Sequence, residues 1–141
     1  MSDKIFIDTN VFLRFLILDE KNPRMSIKAK EIFALLQDGK IILQSNVLIV
    51  AEIAYVLESY YELHKSHIKD LLLPILSIPN LLINSKENIL AALNTFAEKN
   101  VDFEDACTYF DMVNEGISKI ITFDEKHFSR FENISIVSSC A

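Results

Sequence analysis

Ile5-Phe6-Ile7-Asp8-Thr9-Asn10 is the stretch on which the reading of the fold turns. Three apolar residues predict a short buried strand, and the run stops at a carboxylate, two small polar side chains and then a helix-like apolar pattern. In an open α/β sheet, ligands bind outside the carboxyl ends of the parallel strands, which makes Asp8 a candidate functional acid. The plain alternative is helix capping, because Asp, Thr and Asn side chains all accept hydrogen bonds from the free N–H groups of a helix start. What separates the two readings is whether other acids converge on the same edge.

Outward from this stretch, Val11 to Leu18 carry one charge, Arg14, and predict a short helix packed against the sheet. Asp19 to Arg24, with Pro23, read as a polar connection, and Ser26 to Gln37 as an amphipathic helix stopped by Gly39. Ile41 to Leu43 predict a second strand, ending in Gln44, Ser45 and Asn46. In Val47 to Leu57, ten of eleven residues are Val, Leu, Ile, Ala or Tyr, and the exception is Glu52. A carboxylate in a buried helix is costly unless something pairs with it, and no Lys or Arg lies within one helical turn. Its partner has to be tertiary: a bound cation, or Arg14.

Ser66 to Ile78 predict the next helix, with Ser66 as N-cap and Pro79 as the stop. Leu81 to Ile83 form a third strand, and Ser85 caps a helix from Lys86 to about Lys99. Strands alternating with helices predict a parallel sheet with helices on both faces.

Asn100 to Ala106 open a further helix that Gly116 ends. Asp102 fits its N-cap and Asp105 its third position, where the helix dipole favours an acid. Three acids in the four residues Asp102 to Asp105 nevertheless exceed what capping requires. Lys119-Ile120-Ile121-Thr122-Phe123-Asp124 then repeats the opening pattern, an apolar strand ending in an acid beside a Thr. Glu125 to Phe131 make a turn or short helix and Ile134 to Val137 a final strand. His127 reads as a solvated or phosphate-facing side chain rather than a metal ligand.

A chain of 141 residues buries roughly two-thirds of its unfolded surface and needs no disulfide or structural metal, so residues 1–141 are expected to form a single domain. The longest uncharged stretch, Leu71 to Ser85, contains two prolines and falls short of the roughly 20 residues of a membrane span. Asp8 and Arg14 interrupt what would be the apolar region of a signal peptide, and the expected location is the cytoplasm. Cys107 and Cys140 lack metal-type spacing and are assigned no chemical role beyond reduced thiols. With 20 acids against 14 bases, net charge is −6, the wrong sign for nucleic-acid binding over the whole surface. It is compatible with a clustered acidic site and a local basic rim.

Topology gives these acids their force. Strand ends and helix starts share one edge of a parallel sheet, so Asp8, Asp105 and Asp124 are expected in one crevice, with Glu52 reaching it from its helix. Four carboxylates there repel one another unless a cation compensates, and all-oxygen ligands select a hard ion such as Mg²⁺ or Mn²⁺. Such ions activate water and stabilise the oxygens of an in-line phosphodiester displacement. A Mg-dependent phosphatase of the haloacid-dehalogenase kind would need a second Asp two residues after Asp8, where Asn10 stands. A receiver-like acidic pocket would need adjacent acids near the first strand and an Asp in mid-chain, where Gln44-Ser45-Asn46 stands.

Asp8 to Leu16, the isolated Glu52, Asp102-Phe103-Glu104-Asp105-Ala106 and Thr122 to Phe128 together resemble the motifs of PIN-domain nucleases, most closely the VapC-type ribonuclease toxins of toxin–antitoxin systems. The resemblance covers nearly the whole chain. It implies a three-layer α/β/α sandwich around a central parallel sheet of about five strands, RNA cleavage with Mg²⁺ or Mn²⁺, a homodimer, and a small antitoxin partner. By matching position, Asp8, Glu52, Asp105 and Asp124 become the acidic quartet, with Asp8 and Asp105 as direct metal ligands. Thr9, Asn10 and Thr122 hold those groups or orient substrate, and Asp102 matches an acidic position just ahead of the metal ligand. Arg14, Lys126 and Arg130, with Lys28 and Lys30 in addition, are expected to grip RNA phosphates, although Arg14 is equally placed to be the internal partner of Glu52. The non-catalytic alternative keeps the PIN fold as a binding module.

Overall fold

The structure, a computed structural model, describes residues 3–137; Cys140 lies outside them. The chain divides into two compact units, one up to Lys86 and the other from Glu87 onward.

The first unit contains β1 (Lys4–Phe6), α1 (Thr9–Leu16), α2 (Pro23–Gln37), β2 (Ile42–Ser45), α3 (Val47–Ser59), α4 (Lys65–Leu76) and β3 (Leu81–Ile83). The strands form a parallel sheet in the order β1-β2-β3, with Ile5 opposite Leu43 and Gln44 opposite Leu82. Each crossover carries helices, as parallel pairing requires. Phe12 of α1, Phe33 of α2, Val50, Ile53 and Leu57 of α3, and Ile68, Leu72 and Leu76 of α4 are buried. On α3 the buried residues recur at helical spacing, so its other face is open, and Glu52 is exposed rather than enclosed in an apolar helix. The strand expected to be buried at Ile5-Phe6-Ile7 is buried only at Ile7. Ile5 is 53% and Phe6 61% exposed, whereas Leu81 and Ile83 of β3, at the other edge of the sheet, are buried.

Local chemistry sets the element ends, and some differ from expectation. Asn46 caps α3 by accepting the Ile49 N–H at 2.9 Å. Pro23 opens α2, three residues before the expected start, since a proline at the first helical position gives up an N–H that has no helical partner. Gly39, at φ +74°, takes the left-handed conformation that closes it. For α4 the N-cap is His64, not Ser66, and Pro74 lies inside its last turn. Ser85 adopts φ +59°, not the extended conformation of an N-cap.

The second unit comprises most of α5 (Lys86–Lys99), then α6 (Phe103–Glu115), β4 (Lys119–Ile121), α7 (Glu125–Phe128) and β5 (Ser135–Val137). Here β4 pairs with β5 in parallel, Lys119 opposite Ser135 and Ile121 opposite Val137. Gly116, at φ +70°, ends α6 as expected. Aromatic packing anchors the segment that follows β4: Tyr109 of α6 stacks on Phe131 with centroids 4.5 Å apart, and Phe128 meets Phe131 at 5.6 Å. Every strand pairing is parallel, in sheets of three and two strands, and the fold is of the expected α/β class. Among the described residues no helix is long and apolar enough to cross a membrane.

Candidate functional site

In the second unit, acids from two separate elements meet at one imidazole. Thr122 Oγ1 accepts the Asp124 N–H at 3.0 Å, which fixes the turn after β4. Asp124 Oδ1 then caps α7 by accepting the His127 N–H at 3.1 Å. Its other oxygen, Oδ2, lies 3.0 Å from His127 Nδ1, and Asp105 Oδ2 approaches the same nitrogen at 3.1 Å. Asp102 Oδ2 is 3.7 Å away from it. Asp102 occupies the N-cap position of α6, yet its side chain makes no capping hydrogen bond, so capping does not account for its charge. Ligand atoms of Asp102, Asp105 and His127 all lie within 4.8 Å of one another, a group able to hold a metal ion.

Electrostatics divides these carboxyls. Partial burial pushes the Asp105 carboxyl above the usual range; the hydrogen bond with His127 opposes this, and the negative charges of Asp124 and Asp102 reinforce it. Asp124 is held below the usual range, chiefly by the His127 backbone N–H. Clustered carboxylates with one imidazole make a donor set suited to a hard or borderline divalent cation.

In the first unit, Asp8 occupies the N-cap position of α1 in extended backbone, also without a side-chain capping bond. Its carboxylate is exposed. Thr9, only 5% exposed, donates from Oγ1 to Glu52 Oε2 at 2.9 Å, linking α1 to α3. Arg14 pairs with Asp19 at 2.6 Å instead of with Glu52. Burial pushes the Asp19 carboxyl up, but the N–H groups of Lys21 and Asn22 and the Arg14 guanidinium outweigh it and hold it low. Asn10, Arg14 and Lys28 line one cleft of about 380 Å³ between α1 and α2, which places two cations and an amide side by side. Ser45, at the end of β2, is 1% exposed, and its hydroxyl has no hydrogen-bond partner among the described residues.

The remaining expected rim residues sit differently. Lys126 is exposed on α7. Arg130 donates to the carbonyls of Asn100 and, at 3.4 Å, Lys99, where it satisfies the C-terminal end of α5. Lys30 borders a separate open groove of about 560 Å³, lined mainly by apolar residues such as Phe15, Phe33, Leu71 and Pro74, with Asp70 the one acid among its lining residues.

His127 is the residue that sequence reasoning undervalued. Its signal was the spacing: three residues after Asp124 at a helix start, it lies on the same helical face as that acid.

No curated protein matches the chain. The family model described as PIN domain matches residues 5–134 of the 141. On that match, which takes in Asp8, Glu52, Asp105 and Asp124, the chain belongs to the PIN domain family.

Proposed function

We propose that the chain is a metal-dependent endoribonuclease, acting as one nuclease domain over residues 1–141 and serving as the toxin of a toxin–antitoxin pair. PIN domains are generally nucleases that use divalent metals, which supports a nuclease-type function acting on nucleic acid. The observation that supports metal dependence is the convergence of Asp105, Asp124 and Asp102 on a single nitrogen of His127. Capping leaves the Asp8 and Asp102 carboxylates uncommitted, which supports the same reading.

By the motif resemblance alone, Asp8 and Asp105 are assigned as ligands, with Glu52 and Asp124 completing the quartet and Mg²⁺ or Mn²⁺ as the ion. Held by these residues, such an ion would supply an activated water and neutralise charge on the phosphodiester oxygens. The chain's own groups prepare that chemistry. Thr9 fixes the orientation of the Glu52 carboxylate through its hydroxyl. Thr122 fixes the turn that presents Asp124, and His127 Nδ1 lies within 3.1 Å of an oxygen of both Asp105 and Asp124. Asn10, Arg14 and Lys28 offer a phosphate its donors in one cleft, and Lys126 adds an exposed cation. Arg130 is assigned to the same rim through guanidinium donors not used at the end of α5. Homodimerisation, a small antitoxin and a cytoplasmic location belong to this proposal on the strength of the motif resemblance.

Incubation of the purified chain with structured RNA, with Mn²⁺ or with chelator, beside an Asp8→Asn variant, tests it. Cleavage is expected only for the native chain with the ion. Cleavage equal in the variant, or indifferent to chelator, would overturn the reading.

A further inference from the structure

We propose that His127 is itself a metal ligand, through Nδ1, and that the site consequently prefers Mn²⁺ to Mg²⁺; this rests on the metal-dependent reading above. Nδ1 has carboxylate oxygens at 3.0 Å (Asp124), 3.1 Å (Asp105) and 3.7 Å (Asp102). A ring nitrogen carries at most one hydrogen in either protonation state, so it cannot donate fully to two oxygens at once, and the third lies beyond hydrogen-bond range. One proton does not serve both near oxygens fully.

A cation does. Two ligands at a right angle around an ion that holds each at about 2.1 Å lie about 3.0 Å apart. The separations from Nδ1 to Asp124 and Asp105 have that spacing already. The ring's position is also not incidental. The His127 backbone N–H is tied to Asp124 Oδ1, so the residue that offers the imidazole is anchored by one of the acids it faces. Its side chain is 20% exposed, leaving access for an ion from solvent. An imidazole nitrogen is a borderline donor that binds Mn²⁺ and later transition ions better than it binds Mg²⁺, whereas carboxylates alone suit Mg²⁺ equally. The imidazole thereby distinguishes this cluster from an all-oxygen site.

The test is electron spin-echo spectroscopy of Mn²⁺ bound to the full chain, with histidine at natural abundance and with ¹⁵N-labelled histidine. Nuclear modulation from a directly coordinated nitrogen is expected, and it should change on labelling and disappear in His127→Asn. Calorimetric titration should show that this variant loses about tenfold more affinity for Mn²⁺ than for Mg²⁺. Bound Mn²⁺ without nitrogen modulation, an unchanged Mn²⁺ to Mg²⁺ preference in the variant, or no Mn²⁺ binding at all would overturn the proposal. The first two outcomes leave the nuclease reading standing. That reading fails separately, if RNA cleavage is indifferent to chelator.

Discussion

Removing the hydroxyl of Thr9 should weaken the fold and the activity through a single bond. Thr9 is 5% exposed and donates to Glu52 Oε2 at 2.9 Å, joining residues 43 positions apart. A hydrogen bond to a charged acceptor contributes about 1.5–3 kcal/mol. Glu52 is exposed, so water replaces part of what it loses, and Thr9→Val should cost about 1 kcal/mol, lowering the melting temperature by about 3 °C in a chain of this size. In a Glu52→Ala background the acceptor is already gone, and the same substitution should cost under about 0.5 kcal/mol. Urea unfolding of the four proteins followed by circular dichroism measures this coupling. If Glu52 acts on the ion, Thr9→Val should also slow RNA cleavage about tenfold, as loss of a ligand's supporting partner does. Equal costs in both backgrounds, or a neutral Thr9→Val, would refute the reasoning.

Four other outcomes follow from particular groups. The Asp105 carboxyl is raised in the folded state, so its ionisation opposes folding; that opposition is absent at pH values below the unfolded carboxyl range and complete above the folded one. A bound cation relieves it, so Mn²⁺ should raise the melting temperature at pH 7 much more than at pH 4, and an equal rise at both would count against the site. The Cys107 thiol is pushed up to about 12 by burial, with help from Asp111 and Glu104; in a Cys140→Ser variant it should resist iodoacetamide at pH 8 until the chain is unfolded, and rapid stoichiometric labelling would contradict this. Reversing Arg14 to Glu should cost under about 1 kcal/mol, since its pair with Asp19 is half exposed, yet should reduce the salt slope of RNA binding by about one. An unchanged slope would remove Arg14 from the rim. Ser45→Ala should leave stability unchanged or higher in urea unfolding, because no hydrogen bond is lost; a loss above about 1 kcal/mol would reveal a partner for that hydroxyl.

Much of the fold was legible where one local force dominates. Leu81 to Ile83 and the left-handed glycines at 39 and 116 each answer to backbone chemistry within a few residues. Boundaries slipped where two local signals compete, as at Pro23, which suits a loop and a first helical turn equally, and at His64 and Ser66. Burial was less legible. A run such as Val47 to Leu57 is apolar all round, and composition alone does not tell which face looks outward, so Glu52 was expected inside when it lies outside. Asp8 and Asp124 were legible as candidates because each follows an apolar strand, Glu52 because it is the one charge in an apolar run, and Asp105 because acids cluster around it. The partners that orient them were not: Thr9 with Glu52, Arg14 with Asp19 and Asp105 with His127 depend on side-chain directions that spacing does not encode.

The two oxygens of Asp124 have separate employments: Oδ1 holds the first turn of α7, and Oδ2 faces the imidazole and Asp105. A single carboxylate therefore serves both a short helix and, on the reading proposed above, a metal site. Asparagine in its place would keep the first and forfeit much of the second, while a residue without a short polar side chain would forfeit both. Drift at this position is constrained from the side of folding even in a lineage that no longer needs the chemistry. An inactive descendant of this chain could thus retain Asp124, or an asparagine, long after its other acids were lost, and the residue alone would be a poor guide to whether such a descendant still cuts.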